Sequence, residues 1–519
     1  MKALSKLTNT YHPYIASAMT VIATLVWIKL YLNIHMELDL AWLLHCLDRF
    51  MEGGSYTKDF YETNPPLSFL IHFPAYLIYT NTATDEHTAV TITFLCYMAI
   101  SNIVVFKMHS DKNITIILSL ILAQTWGMGL LFASKDHLIF IFLAPLCLWQ
   151  YCITQQQRQP MAINILCIIM GGIAISLKPH YGVITAGFFA HRLYKTQSLL
   201  ACLKSVDFIG LLLFGLSYIA LTIMFVPSFW EILPHITSLY VYNDQPFSLS
   251  NGLPVFALTI LAFLTSLMIK DQNTQRTIQG LLTISVLCLI PYILQFKGYI
   301  YHLAPMLGFT IAALFICIQT ILEHRIRNKT FNFSIALAAI VALTFSFTSG
   351  GPKPHLTKTE FLELPLIKSV QASAWNKTYA NYNLRATFAL LPYTTDLKNG
   401  SRFGQLWNIN GLQYKLSQAT NQKERKAIHQ QMRSEVSLIA EDMRRFKPSV
   451  IFIPQYQNSE TGKPERFYLD FLRENEHFQK ALNNYEYKES LSMSLELRSK
   501  NADKFVLYDI YVLRKDHDL

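Results

Sequence analysis

Charged residues are scarce in this chain. Asp, Glu, Lys and Arg together make up 15% of the 519 residues, whereas 52% are hydrophobic. Soluble domains carry about 25% charged residues. The composition therefore excludes a chain built from soluble domains alone. Because apolar runs of about twenty residues recur along the sequence, it predicts a polytopic membrane protein.

The sequence also lacks the spacings that metal and redox sites need. The histidines form no HxxxH or HExxH pattern, and no two cysteines form CxxC. The eight cysteines lie mostly inside apolar runs, which indicates small buried side chains. They are Cys46, Cys96, Cys147, Cys152, Cys167, Cys202, Cys288 and Cys317. We expect no metal ion and no other cofactor.

Two further absences narrow the class of protein. The net charge is +10, yet no basic stripe with interleaved aromatic residues is present, so nucleic acid is not an expected partner. The positive charge instead suits cytoplasmic loops and contact with membrane lipids. The apolar run 14–32 is longer than the core of a signal peptide and has no small-residue cleavage site, which predicts an uncleaved first span.

The apolar segments predict an all-α membrane domain of about 11–13 transmembrane helices over residues 1–349. The segments are 14–34, 67–82, 88–107, 113–132, 138–153, 161–177, 180–191, 207–226, 253–269, 278–295, 302–322 and 332–348. After residue 350 the chain becomes polar, with a helical pattern at 421–446 and strand-like pieces at 449–453 and 504–513. Residues 350–519 are therefore expected to form a small soluble α/β domain.

Basic segments orient the predicted spans. The loop 323–329 (EHRIRNK) and the N-terminal Lys2 and Lys6 belong on the cytoplasmic side by the positive-inside rule. The first loop, 35–66, and the C-terminal domain then lie outside. Counting spans places three further polar loops on the same outer face. They are 134–137, 178–180 and 295–302.

The count contains one conflict. Segments 67–82, 88–107 and 113–132 lie between two loops that are both assigned to the outside, so they must cross the membrane an even number of times. Three segments give an odd number. One of them therefore does not span, or one helix has been divided in two, and 67–82 is the shortest of the three.

The loop 35–66 holds the most organised polar sequence. Asp39 follows the first span closely, where a carboxylate near hydrocarbon is costly unless it is used or paired. The next residues predict an amphipathic interfacial helix that ends at Gly53-Gly54, and a polar turn then leads to Asn64-Pro65-Pro66. Two roles suit the position of Asp39, a general base and a helix-capping acid.

The three later outer loops each place ionisable residues beside an apolar run. Taken singly, each group is consistent with a helix-start acid or a basic interface anchor. Taken together, they suit transfer from a lipid-linked phosphate, in which a carboxylate takes the acceptor proton and cations hold the phosphate. The residues are Asp136, His137, Lys178, His180, Lys297, Tyr301 and His302.

The first loop resembles that of the GT-C glycosyltransferases, which include protein mannosyltransferases and bacterial aminoarabinose transferases. Asp39, the amphipathic helix, the Gly-Gly turn, Lys58-Asp59-Phe60 and Asn64-Pro65-Pro66-Leu67 carry the resemblance. Weaker pieces follow in the expected order, and the resemblance covers about residues 10–350. They are SKDHL at 134–138, SLKPH at 176–180 and QFKGYIYH at 295–302. The family often has Asp-Glu at the first position, whereas Asp39 is followed by Leu40.

The resemblance implies a GT-C fold in a bacterial plasma membrane, with a periplasmic C-terminal domain. It implies transfer of a sugar from a polyprenyl-phosphate donor to a hydroxyl of a lipid, glycan or protein acceptor, with inversion. Asp39 is then the general base and Asp136 a second acid. The residues expected to hold the donor phosphate are Lys178, His180, Lys297 and His302. The residues expected to contact substrate are Lys58, Asp59, Tyr61, Asn64 and Tyr301.

Two other functions stay open at this point. One is a membrane transporter or flippase of lipid-linked glycans, which predicts ionisable residues at mid-span and repeated halves. The sequence instead places its ionisable residues at span ends and has no repeat. The other is a GT-C-like assembly subunit without activity, against which Asp39 and Asp136 argue mildly.

Overall fold

The structure is a computed structural model that divides into two compact units. It describes residues 2–108, 114–155, 157–240, 252–295, 297–325, 329–348, 357–383, 388–457, 464–465, 467–494 and 505–515. The helical unit consists of Met1–Leu32, Leu77–Thr222 and Gln245–Pro352. The sheet unit consists of Asn33–Tyr76, Ile223–Asp244 and Lys353–Leu519.

Among the described residues up to 348, helices predominate. The non-helical segment 52–66 separates α2 from α3, and short 3-10 turns lie at Gly129–Leu131, Pro179–Tyr181 and Ile300–Leu303. The helices are α1 (Lys2–Asn33), α2 (Leu38–Met51), α3 (Leu67–Leu70), α4 (Phe73–Asn81), α5 (Glu86–Met108), α6 (Ile114–Gln124), α7 (Lys135–Thr154), α8 (Met161–Leu177), α9 (Gly182–Thr196), α10 (Leu199–Leu203), α11 (Val206–Phe225), α12 (Pro227–Tyr240), α13 (Leu253–Ser266), α14 (Gln272–Leu287), α15 (Leu289–Gln295), α16 (Ala304–Arg325) and α17 (Lys329–Thr348).

Six helical segments in the described ranges are long and apolar enough to cross a membrane. They are Pro13–Asn33, Glu86–Met108, Lys135–Thr154, Val206–Phe225, Gln272–Gln295 and Ile300–Glu323. Four shorter apolar helices accompany them, at Ile114–Gln124, Met161–Leu177, Leu253–Ser266 and Phe331–Ala342. The prediction of a mainly helical membrane protein is therefore confirmed, while the count of 11–13 spans and the GT-C type stay predictions.

The conflict between residues 67 and 132 narrows at the segment 67–82. The segment 67–82 is broken into α3 and α4, and the nine residues of α4 reach only about 14 Å along a helix axis. A hydrocarbon core is about 30 Å thick. The segment 67–82 is therefore too short to span as a single straight helix. Helix α6, with eleven residues, reaches only about 16 Å by the same measure, so the number of crossings between 67 and 132 stays a prediction.

Within the helical unit, α7 and α16 are largely buried, whereas α11 exposes most of its apolar surface. Small residues allow close packing, because a Cβ added at Gly308 would meet the Phe140 ring at 2.4 Å. A chain of buried hydroxyls also joins three helices. Thr310 of α16 lies 2.9 Å from Thr259 of α13 and 2.7 Å from Ser285 of α14. Such hydrogen bonds join helices where lipid supplies no hydrophobic drive between them.

The sheet unit adds seven helices and six strands after residue 357. These elements are α18 (Lys358–Leu362), α19 (Pro365–Ser373), β1 (Thr378–Asn381), α20 (Leu391–Thr394), β2 (Lys398–Asn399), α21 (Trp407–Gln418), α22 (Gln422–Phe446), β3 (Val450–Gln457), β4 (Pro464–Glu465), α23 (Phe467–Arg473), α24 (Glu476–Leu482), β5 (Tyr485–Ser494) and β6 (Phe505–Leu513). The predicted helix at 421–446 and strands at 449–453 and 504–513 are confirmed as α22, β3 and β6.

The strands form one mixed sheet in the order β2-β1-β3-β6-β5, with β4 paired to β3. The pairs β1–β2 and β1–β3 are parallel, whereas β3–β6 and β5–β6 are antiparallel. Its hydrophobic core includes side chains from all three chain segments of the unit, such as Leu43, Phe229 and Ile451. The first loop and α12 are therefore built into the same body as the C-terminal sheet.

Helix α2 ends at the Gly-Gly pair, as its sequence predicts, but its N-terminal cap is Glu37 and not Asp39. Glu37 caps its N-terminus, and the Glu37 carboxylate accepts a 2.9 Å hydrogen bond from the Leu40 amide. At the other end Gly53 adopts a φ of 90°, which favours glycine. Gly54 packs so closely that an added Cβ would lie 2.7 Å from the Arg49 carbonyl oxygen. The Gly-Gly pair therefore fixes the exit of the chain towards residues 55–66.

Candidate functional site

A buried ion pair lies at the ends of two helices in the helical unit. Ser134 caps α7, where its hydroxyl accepts a 3.2 Å hydrogen bond from the His137 amide, and Asp136 follows in the first turn. Lys178 is the residue that ends α8. The Lys178 Nζ atom lies 2.9 Å from Asp136 Oδ1 and 2.7 Å from Oδ2. Both side chains are buried, so the pair neutralises two charges that would otherwise be costly there.

Tyr181 connects this ion pair to a third segment. Its hydroxyl lies 3.3 Å from Asp136 Oδ1 and 3.2 Å from the carbonyl oxygen of His302. The side chain is fully buried. Burial raises the pKa of the Tyr181 phenol well above its usual value, and the neighbouring Asp136 carboxylate raises it further. The phenol is therefore a neutral hydrogen-bond donor at physiological pH.

Further lysines and two histidines surround the pair. His302 is buried, and its ring interacts electrostatically with Lys178, Lys135 and Lys297. His180 interacts with the same ring. The pKa of His180 is lowered, first by partial burial and then by the Lys178 ammonium. The site therefore gathers three lysines around one carboxylate, an excess of positive charge that suits an anion, and the two histidines add polar ring nitrogens.

Aromatic rings border the ion pair. The Lys178 ammonium lies 5.4 Å from the centre of the Tyr301 ring, within the range of a cation–π interaction. The Tyr301 ring stacks on Tyr299, with centroids 5.2 Å apart and planes 14° apart. Tyr301 also meets His302 edge-on at 4.5 Å. Gly298, with a φ of 66°, provides the left-handed backbone from which this aromatic segment starts.

The backbone just before the ion pair is unusual. Ala133 is buried and has a φ of 63°, a conformation that costs a non-glycine residue about 1–2 kcal/mol. The Ala133 amide donates a 3.1 Å hydrogen bond to His137 Nδ1. This bond places the acceptor lone pair of His137 on Nδ1. The strained turn and the Ser134 cap together fix the start of α7 and therefore the position of Asp136 in its first turn.

Asp39 lies in the sheet unit, exposed in the first turn of α2. Of its two sequence-based roles, helix capping is served by Glu37 instead. Its position still suits the positive end of the helix dipole. The exposed carboxylate can accept a proton from a molecule in solution, so the general-base role stays a prediction.

The polar turn after α2 is tied to the C-terminal part of the sheet unit. The Asp59 carboxylate accepts a 2.8 Å hydrogen bond from the Ser55 amide and pairs with Arg445 at 2.5 Å. Arg445 also donates to the Lys58 carbonyl oxygen at 2.8 Å. Asp59 and the Lys58 backbone thus hold this turn in place, and the substrate contacts predicted for the two residues stay predictions.

Tyr61 and Asn64 are also engaged within the sheet unit. The Tyr61 ring is buried against Phe403 and Trp407, with ring centroids 5.3 and 5.5 Å away. The amide and side chain of Asn64 both donate to the Glu62 carboxylate. Glu62 therefore fixes the turn before Pro65-Pro66. The sequence offered no sign that Glu62 would be buried and act in this way.

A polar network of the sheet unit centres on Arg402. Its Nε donates to Asp442 at 2.7 Å, its Nη2 to Glu441 at 2.8 Å and its Nη1 to the Thr57 carbonyl oxygen at 2.9 Å. Arg402 and Asp442 are both buried. Burial raises the pKa of Asp442 to about 6, against the opposing effect of Arg402. Because Thr57 and Arg402 are far apart in sequence, no local pattern could have predicted this contact.

The predicted site residues therefore fall into two groups. Asp136, Lys178 and Tyr301 are in direct contact, and His302, Lys297 and His180 lie close enough to interact electrostatically. Asp39, Lys58, Asp59, Tyr61 and Asn64 belong to the sheet unit. Sequence reasoning missed Tyr181 and Lys135. Lys135 could have been found, since it directly precedes Asp136 in the same polar loop.

The described residues contain no cluster of three or more His, Cys, Asp or Glu side chains arranged to hold a metal ion. Around Asp136 in the helical unit, the charged donors are Lys178, Lys135 and Lys297. No protein-family model and no curated protein matches the chain.

Proposed function

We propose that this protein is an integral membrane glycosyltransferase that moves a sugar from a polyprenyl-phosphate donor to an acceptor hydroxyl outside the cytoplasm. The observation that carries the proposal is the buried Asp136–Lys178 pair, surrounded by Lys135, Lys297 and two histidines at the ends of apolar helices. A lipid-linked phosphate brings its charge to this depth while its polyprenyl chain stays in hydrocarbon.

The reaction consists of one displacement. The acceptor hydroxyl oxygen bonds to the anomeric carbon as the bond from that carbon to the phosphate oxygen breaks. The hydroxyl proton passes to the Asp39 carboxylate, and the configuration at the anomeric carbon inverts. The donor phosphodiester carries one negative charge and the departing phosphate monoester up to two. Cations that stabilise the added charge lower the barrier.

The two halves of this proposal have different support. Contacts within the helical unit support the phosphate-binding role of Lys178, with Lys297, His180 and His302 near it. The general-base role of Asp39 rests on the resemblance of the first loop and on the exposure of its carboxylate. Lipids, glycans and proteins are all acceptors consistent with an exposed base.

The proposal is tested by sugar transfer with two isosteric substitutions. Asp39→Asn removes the base without changing shape, and we expect the rate to fall by about 10²–10⁴-fold. The matched control is Asp470→Asn, since Asp470 is also exposed in the first turn of a helix of the sheet unit. The measurement is release of polyprenyl phosphate by membranes supplied with polyprenyl-phosphate-linked hexoses and pentoses.

The expected result is loss of release in Asp39→Asn and normal release in Asp470→Asn. Undiminished release by a membrane-inserted Asp39→Asn protein would remove Asp39 as the base. Absence of any release by the wild-type protein, with cellular glycans unchanged when the protein is deleted, would contradict the proposed function itself.

A further inference from the structure

Tyr181 has two hydrogen-bond acceptors for a single proton. Its hydroxyl lies 3.3 Å from the Asp136 carboxylate and 3.2 Å from the His302 carbonyl oxygen. Both distances exceed the usual 2.7–2.8 Å of an O–H···O bond. The phenol donates a full hydrogen bond to one acceptor at a time. Its hydroxyl therefore turns towards whichever of the two acceptors has lost its other donors.

The two acceptors lie on different segments. Asp136 is the partner of Lys178, whereas His302 belongs to the turn Ile300–Leu303 that also carries Tyr301. An arriving phosphate draws the Lys178 ammonium away from Asp136. The buried carboxylate then lacks a donor, which is costly unless a neighbouring group supplies one. Tyr181 is the neutral group already within reach.

We propose that Tyr181 is a positioning residue. When an anion binds Lys178, the Tyr181 hydroxyl donates its hydrogen bond to the Asp136 carboxylate and no longer donates to the His302 carbonyl oxygen. This inference rests on the proposed function, because it assumes that Lys178 binds the donor phosphate. The anion is a lipid phosphate, and the alcohol of the same chain does not trigger the change.

The stated role differs from ordinary structural support by a buried tyrosine. Tyr379 of the sheet unit is also fully buried, and its hydroxyl donates to one backbone acceptor, the Phe388 carbonyl oxygen, at 3.0 Å. Removing that hydroxyl loses this one hydrogen bond to the backbone and affects no ion pair. Removing the Tyr181 hydroxyl also changes how readily Lys178 can leave Asp136. Tyr379→Phe is therefore the matched control.

The test measures binding of farnesyl phosphate and of farnesol to the purified full-length protein in lipid nanodiscs. Tyr181→Phe should weaken binding of farnesyl phosphate on the order of tenfold, as expected for a lost hydrogen bond to a charged group. It should leave binding of farnesol unchanged. Tyr379→Phe should change neither. Equal affinity of wild type and Tyr181→Phe for farnesyl phosphate would overturn the proposal, as would equal losses for both ligands.

A double-mutant cycle with Asp136→Asn tests the route of the effect. If Tyr181 acts through the Asp136 charge, adding Tyr181→Phe to Asp136→Asn should change farnesyl phosphate binding less than about twofold. Full additivity of the two substitutions would overturn the proposal. A wild-type protein that binds no farnesyl phosphate contradicts the proposed function as well, whereas normal wild-type binding with an unaffected Tyr181→Phe variant contradicts this inference alone.

Discussion

At the scale of single residues, the Asp136–Lys178 pair combines a possible functional role with a structural one. Each charge is buried, and each satisfies the other at hydrogen-bonding distance. Removing one partner of such a pair leaves an uncompensated charge in a low-dielectric surrounding, whereas removing both leaves none. Stability and anion binding should therefore respond differently to single and double substitution.

We expect Lys178→Met to destabilise the protein by about 3–5 kcal/mol, and Lys178→Met combined with Asp136→Leu to restore most of this loss. The double variant should still fail to bind farnesyl phosphate. The control is Lys368→Met, because the Lys368–Glu363 pair is exposed and contributes about 0–1 kcal/mol. Thermal unfolding in detergent measures the effect. Equal destabilisation by Lys178→Met and Lys368→Met would show that the buried pair is not structurally important.

Residue chemistry was predictable where charge interrupts apolar sequence. Asp136, Lys178 and His302 each lie beside an apolar run. An ionisable side chain costs free energy at such a position, so the sequence alone indicates that these residues have a function or a partner. Tyr181 carries no such mark, because it is one of 27 tyrosines and an aromatic residue is ordinary near a membrane surface. Its role depends on the distance to the His302 carbonyl, which is set by folding.

At the scale of elements, helix α2 shows how periodicity and burial can disagree. Its spacing predicts that Leu40, Leu43, Leu44, Leu47 and Met51 are buried. The four leucines are buried, whereas Met51, the last residue of the helix, is 41% exposed. His45 falls between them in the pattern, yet it is buried against Trp42. The reason is tertiary, since further chain segments of the sheet unit cover the flank of the helix that the pattern assigns to solvent.

The buried His45 makes the sheet unit sensitive to acid. Burial, and secondarily Arg49, lowers the pKa of His45 from 6.5 to about 3. The unfolded chain therefore binds a proton that the folded chain does not, and stability falls as the pH drops below 6.5. The slope for one such group approaches about 1.4 kcal/mol per pH unit.

His45→Leu should reduce this dependence between pH 6.5 and 5 without abolishing it, because burial also lowers the pKa of His72 in the same unit to about 3. His429→Leu, at an exposed position on α22, should leave the dependence in place. Hydrogen exchange of sheet-unit amides in the full-length protein measures the effect. A wild-type slope that persists unchanged in His45→Leu would assign the acid sensitivity to another group.

The charged face of α2 was predicted to lie at the membrane interface, and that position stays a prediction. Within the sheet unit, Arg49 donates to the Asn399 carbonyl oxygen at 2.6 Å and lies 4.7 Å from the centre of the Phe446 ring. Asp48 accepts from the Tyr393 hydroxyl at 3.0 Å. An amphipathic pattern gives the two faces of a helix but not what each face meets, because both a membrane and a folded domain satisfy it.

At the scale of the whole molecule, the sheet unit is built from three separate chain segments, and this constrains how the chain crosses the membrane. Three segments, 33–76, 223–244 and 353–519, share one hydrophobic core. An open sheet with unpaired edges does not lie in hydrocarbon, so all three belong on one side. The chain must cross an even number of times between them. The four apolar helices after residue 252 in the described ranges meet this requirement, whereas the five apolar helices between 76 and 225 meet it only if α9 crosses as well.

Cysteine labelling from outside the cell tests this constraint. In a background with Cys96→Ser, the variants Glu52→Cys, Glu231→Cys and Lys447→Cys should all react with an impermeant maleimide. Lys204→Cys, in a loop predicted to be cytoplasmic, should react only after permeabilisation. All four positions are exposed, so reactivity reports the side of the membrane. Labelling of any one of the first three from the opposite side would contradict a single-sided sheet unit.

The sequence alone does not show which three chain segments form the sheet unit. The change from apolar to polar residues near 350 marks the start of the C-terminal part, and the strands β3 and β6 followed from their alternation and β-branched residues. Residues 33–76 and 223–244 look like loops, because each lies between apolar segments. Their incorporation depends on contacts between residues hundreds of positions apart, such as Arg402 with Thr57.

The discontinuous sheet unit also dictates an order of events during synthesis. Strand β6, near the end of the chain, pairs with both β3 and β5, so the sheet is incomplete until almost every residue has been made. Residues 33–76 leave the ribosome first and must wait, with apolar side chains uncovered, for partners that arrive last. Contacts of such long sequence separation form slowly. Aggregation and proteolysis therefore compete with folding most strongly at the first loop, where chaperones have most to protect.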